Sequence, residues 1–188
     1  MECEEGMGAM RVTHVTTAEL DRLEFDAVRS GEHGRVAAQL QDLANRAEAA
    51  SEITRAELFV RAGEQWEIAQ EYERACASYQ RAIDDGGHTV IDPRALCAGA
   101  LLQMDEIGRA HTHLGRLEKD APDGLPTYLH IAEVLYAHGD LEGAEWWATC
   151  GARNHPEDGS DLFEELLRIR FRIRSDLDLD EDDLDRSI

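Results

Sequence analysis

The chain has 188 residues, with 40 acidic against 19 basic side chains, a net charge of −21 and 6% aromatic residues. That length suits one ordinary domain with a real core, and a composition with 4 prolines and abundant Ala, Leu, Glu and Arg favours helices over sheet. So acidic a body repels phosphate backbones and anionic headgroups, which disfavours nucleic acid and membranes and makes basic proteins or peptides the natural counterparts.

Residues 1–16 lack periodicity and read as an irregular lead-in. Thr17 offers an N-cap to a helix carrying Leu20, Leu23, Ala27 and Val28, which stops near Gly31. A second helix follows from about Gly34, with Val36, Leu40, Leu43, Ala44 and Ala47 on one stripe. Three clearer hairpins come next: residues 56–70 with 71–86, 92–104 with 105–119, and 125–138 with 140–154. Asp92 before Pro93 marks a helix start, Gly139-Asp140 a break, and Pro122 and Pro156 end their units because proline cannot continue a helix.

These hairpins share a degenerate period of 34 or 35 residues. Ala75, Tyr79, Ala82 and Gly87 are echoed by Ala110, Leu114, Leu117 and Pro122, and again by Ala144, Ala148, Gly151 and Pro156. Gly63, Ala98 and Ala132 each lie 12 residues before the first alanine of those sets, and Trp66, Leu101 and Leu135 follow three residues later. Small residues let two antiparallel helices approach closely, and the large neighbours fill the remaining gap. On these residues the chain resembles tetratricopeptide repeats over about residues 56–156, and less regularly from 18. Gly87 in place of a proline, Gly151 in place of an alanine-like residue, and Phe59, Arg94 and Tyr128 where the family favours Trp are its departures. The resemblance implies an all-α, right-handed solenoid of hairpins, units near 18–50, 56–89, 91–124 and 125–156, acting by holding other molecules.

After Pro156, Asp161 with Glu164 reads as a capping box for a helix carrying Leu162, Leu166, Ile169 and Ile173. The alternation from Arg168 to Arg174 also fits a strand. The capping signal favours helix over 157–175, placed to cover the last hairpin, with 176–188 an acidic solvated tail. Residues 157–188 hold 12 acidic and 5 basic groups, a net of −7, which leaves −14 to residues 1–156. The alternating arginines are expected to pair locally, Arg168 with Glu164 and the others with the tail.

Chemistry finds little support. His111 and His113 point about 200° apart on a helix, and His130 and His138 lie two turns apart, so neither pair holds one metal. Asp176, Asp178 and Asp180 open like a calcium loop, but Glu181 and Ser187 stand where its glycine and bidentate glutamate belong. Cys3, Cys76, Cys97 and Cys150 form no metal-ligand spacing, and the last three read as small hydrophobes within helices. With no apolar leader in Met1–Met10 and no run of about 20 apolar residues, a reducing cytoplasm is the expected location.

The family lines its concave face with the first helix of each hairpin. The resemblance therefore points to Glu19, Arg22, Asp26 and Arg29, then to Glu57, Val60, Glu64 and Glu67, and further along to Asp92, Ala95, Gln103, Leu129, Glu133 and Tyr136. Relatives that bind chaperones grip a terminal carboxylate there with Lys, Asn and Arg. Glu57, Glu64 and Glu67 share one face of their helix and point instead to a basic, partly apolar peptide. The expectation is a non-catalytic scaffold without cofactor. A homodimer through exposed hairpin faces is the alternative, and a small-molecule or enzymatic site the lesser one.

Overall fold

A computed structural model describes residues 12–156 and 159–187 of the chain. Among them the protein is all-α: α1 (Thr17–Ser30), α2 (His33–Arg46), α3 (Arg55–Ile68), α4 (Tyr72–Asp85), α5 (Pro93–Gln103), α6 (Ile107–Asp120), α7 (Leu125–His138), α8 (Leu141–Asn154) and α9 (Asp161–Asp176), with a 3-10 turn at Asp185–Ser187. Residues 161–176 are helix rather than strand, although Arg168–Arg174 alternates, because every second residue of that run is not needed to bury its apolar face. Leu166, Leu167, Arg170 and Ile173 are the buried set, at helical spacing.

Each helix start has an identifiable cause. Thr16, not Thr17, caps α1 through its hydroxyl and the Glu19 amide, one residue earlier than expected. Thr54 caps α3 and Asp92 caps α5 ahead of Pro93. Ser160 rather than Asp161 caps α9, accepting from the Phe163 amide at 3.2 Å, so Asp161 falls in the first turn instead. Three hairpin turns are built alike. The carbonyls of Trp66, Leu101 and Leu135 accept from the amides of Glu71, Glu106 and Asp140 at 2.9–3.0 Å. Gln70, Asp105 and Gly139 supply the left-handed residue at the same place. Asp105 and Glu106 thus belong to a turn, and α6 begins at Ile107.

The small residues sit where helices meet. Gly63, Ala98 and Ala132 are buried, as are Ala75, Ala110 and Ala144. A Cβ on Gly63 would overlap the ring of Tyr79, itself fully buried on α4. Gly63→Ala is therefore expected to lower stability by about 1–3 kcal/mol, since the ring has nowhere to move. Urea denaturation checks it, and an unchanged midpoint would show that Tyr79 repacks freely.

Each helix packs on its neighbours in sequence from α1 to α6, α7 packs on α8, and α5 packs on α7. α9 lies against both α7 and α8. It closes a second apolar cluster made of Leu125, Leu129, Ala132, Ala148, Ala152, Leu166 and Leu167.

Both chain ends of the described region depart from the loose segments expected. Residues 1–11 lie outside it, but Thr13 pairs in an isolated parallel bridge with Ala47, and Val15 is fully buried. The acidic tail folds back on α9. Arg170, fully buried, donates to Thr149 Oγ1 at 2.7 Å and to the carboxylates of Asp182 and Asp185. Arg174 adds Glu145 at 3.0 Å and Asp185 at 2.9 Å. These partners lie 11 and more residues from the arginines in sequence, or on α8, so the run is tied down rather than solvated. Arg168 does pair with Glu164, at 2.7 Å.

Candidate ligand-binding face

Three carboxylates of α1 and α3 share one guanidinium. Arg61 on α3 donates through Nε to Glu57 at 2.9 Å and through Nη1 to Glu64 at 3.3 Å, and lies 3.9 Å from Glu24 on α1. One positive charge thus serves three acids. Glu57 is additionally consumed by the backbone: its second oxygen accepts from the Val90 amide at 3.1 Å, tying the chain between α4 and α5 to α3.

Burial shapes the rest. It lifts the carboxyl groups of Glu24 and Glu64 above their ordinary range, Arg61 opposing in both cases. Glu67 has no cationic partner among the causes acting on it, and burial raises it to about 7. The Tyr79 hydroxyl, buried without a partner at full hydrogen-bonding geometry, faces that carboxylate and offsets part of the effect. Glu133 on α7 is raised too, by burial and then by Glu165 of α9. A carboxylate in that condition is held by the fold at a cost that an arriving cation would remove.

The expected site residues are not one surface. Glu57 and Val60 are buried, Glu57 as an internal ligand of the backbone and Val60 within the core at 2% exposure. Leu129 lies under α9 in the second cluster. Asp92 is a cap: its carboxylate pairs with Arg94, and its own amide donates to Thr127 Oγ1 at 3.0 Å. Gln103 is exposed at the end of α5, and Ala95 is fully buried. Tyr136 donates to Asp176 at 2.7 Å, so the end of α9 engages it. Glu64 and Glu67 remain together on α3, half-buried, and Glu133 stands apart in a cleft of about 640 Å³ between α7 and α9, lined also by Glu165, Arg168 and Arg172.

Two residues escaped the sequence reading. Glu24 has no signal in the spacing of a first hairpin whose register is irregular. Arg61 did: it stands four residues after Glu57 and three before Glu64, the separations at which helical side chains pair. His130 on α7 is largely buried, its Nε2 has no partner, and burial pulls it down to about 4, so it is a neutral packing group against Gly99. Among the described residues no three His, Cys, Asp or Glu side chains converge on a metal position, and no helix is long and apolar enough to cross a membrane.

Comparison of the chain with known protein families, with curated proteins and with solved structures finds no match in any of the three.

Proposed function

We propose that the protein is a non-catalytic scaffold of tetratricopeptide-like hairpins that binds a basic, partly apolar segment of another protein across its odd-numbered helices. The observation that supports this reading is the set of under-neutralised carboxylates at Glu24, Glu64, Glu67 and Glu133, each raised by burial. A lysine or arginine set beside Glu67 supplies the charge that the fold lacks there. The neighbouring Ile68, 57% exposed, offers apolar contact at the end of the same helix.

Fluorescence anisotropy with a labelled peptide alternating lysine and leucine, against one alternating glutamate and leucine, tests the idea. Only the basic peptide is expected to bind. Its affinity should rise about tenfold from pH 6 to 8, because bound cation favours ionised Glu67 over a group that otherwise titrates near 7. Glu67→Lys should abolish binding, and it is a cleaner variant than one at Glu64, whose carboxylate also holds Arg61. Equal affinity for both peptides, or for the variant, sinks the reading. Affinity purification from the native cell with the same variant then names the partner.

One observation favours a second reading, self-association. Phe25 and Val28 are 66% and 75% exposed, three residues apart on one face of α1. Light scattering separates the two: a dimer that Val28→Asp dissociates would assign that face to a second copy of the chain.

A further inference from the structure

Beneath the carboxylates of α3, three nucleophilic or basic side chains from successive helices meet. Cys76 of α4 lies with its Sγ 3.8 Å from the Cys97 carbonyl oxygen, and Cys97 of α5 lies with its Sγ 3.8 Å from His113 Nε2 of α6. The Cys76 thiol thus donates to the backbone of Cys97 itself, which brings the two residues together across α4 and α5. The other nitrogen of His113, Nδ1, is buried and has no hydrogen-bond partner. Cys76 keeps 8% of its surface exposed and Cys97 3%, so both sulfurs are nearly enclosed.

We propose that Cys76, Cys97 and His113 form a peroxide-reactive thiol pair that closes into a disulfide joining α4 to α5. Nothing in the scaffold function requires such a cluster, and its charge state suits the reaction. Cys97 is held below the ordinary thiol range, first by the neighbouring Cys76 and then by His113, with Arg109 adding positive charge, while Cys76 is pushed up.

The chemistry balances with hydrogen peroxide as oxidant. Cys97 gives its proton to His113 Nε2 as its sulfur attacks one peroxide oxygen, an S–O bond forms and the O–O bond breaks, and the same proton returns to the departing hydroxide, which leaves as water. Cys97 is now a sulfenic acid, oxidised by two electrons, and the peroxide is reduced. The Cys76 sulfur then attacks the Cys97 sulfur, its proton leaves with the displaced hydroxyl as a second water, and the S–S bond is complete.

The test uses the full chain with Cys3→Ser and Cys150→Ser, so that only the pair remains. Trypsin cuts after Arg74, Arg81, Arg94 and Arg109, which places the two cysteines in separate peptides. After stoichiometric peroxide, mass spectrometry should find those peptides linked and the chain two hydrogens lighter. Cys76→Ser should stop at a sulfenic acid that dimedone traps, Cys97→Ser should leave the peroxide unconsumed, and His113→Gln should slow linkage about tenfold or more. Both thiols remaining free at peroxide levels that oxidise glutathione would overturn the proposal. So would Cys97 advancing to sulfinic acid without linkage, or a His113→Gln variant that retains its helical circular dichroism and its full rate. If that variant fails to fold, the linked peptides of the parent chain decide alone.

Discussion

Replacing Arg170 with methionine is expected to destabilise the protein by about 3–5 kcal/mol, the magnitude associated with breaking a buried charge cluster from one side. Arg170 is fully buried and serves Thr149, Asp182 and Asp185 together. Methionine preserves most of the stem's volume, so the loss isolates the guanidinium. Asp185, whose side chain is 2% exposed, is left with Arg174 as its cation. Urea denaturation measures the loss, and limited proteolysis near residues 177–187 should accelerate in parallel as the tail detaches. The double variant Arg170→Met/Asp185→Leu should recover much of it, because removing both charges leaves no orphan. A single-variant loss under about 1 kcal/mol would mean that the tail contributes nothing through this cluster. Acid should act in the same place. Asp182 is held down to about 2, first by the hydrogen bond from Arg170. A depressed carboxyl contributes stability that is fully present above its ordinary value and lost as pH falls through the folded one, so the tail should hold at pH 4 and release between about 4 and 2.

The contrast between what the sequence disclosed and what it hid follows from range. Caps, turns and small-residue positions are local. Asp92-Pro93 specifies its own helix start, and the small residues at Gly63, Ala98 and Ala132 report a close helix approach that the buried Tyr79 ring makes concrete. Errors there are of one residue, as at Thr16 and Ser160, where adjacent polar side chains compete for the same cap. The candidate face was harder to read because α3 packs on both α2 and α4. A helix covered on two sides buries polar positions too, so Glu57 at 8% exposure looks in sequence like a solvated acid. The tail shows the same limit from the other direction. That the alternating arginines pair with the aspartate run was legible, as Arg170 and Arg174 bear out, but which aspartates they meet, and the burial of Arg170, depend on α9 ending at Asp176 and the chain reversing, and no spacing rule encodes that.

The Glu67→Gln variant is expected to make the protein more stable and less able to bind, and that combination bears most directly on function. Burial raises Glu67 from 4.5 to about 7. The folded state therefore holds this proton more tightly than the unfolded chain does. Stability is highest where both states are protonated, falls as pH rises from about 4.5 to about 7, and is flat above, a penalty of at most about 3 kcal/mol. Glutamine keeps the shape and cannot ionise. Its unfolding midpoint at pH 8 should exceed that of the parent chain, and the slope between pH 5 and 7 should flatten by this group's share. Fluorescence-detected urea titrations at several pH values provide both readings, and a parent slope that survives in the variant would show that Glu67 is not strained. The same substitution removes the unpaired charge offered to a basic segment. The loss of a charge-assisted contact worth about 1.5–3 kcal/mol should weaken the lysine–leucine peptide at least tenfold. A group that only packed would lose stability on replacement and leave binding alone. One retained at the expense of stability, and needed for the ligand, behaves as a binding residue does. A stabilised variant with undiminished affinity would move the ligand away from α3, to the cleft where Glu133 meets α9.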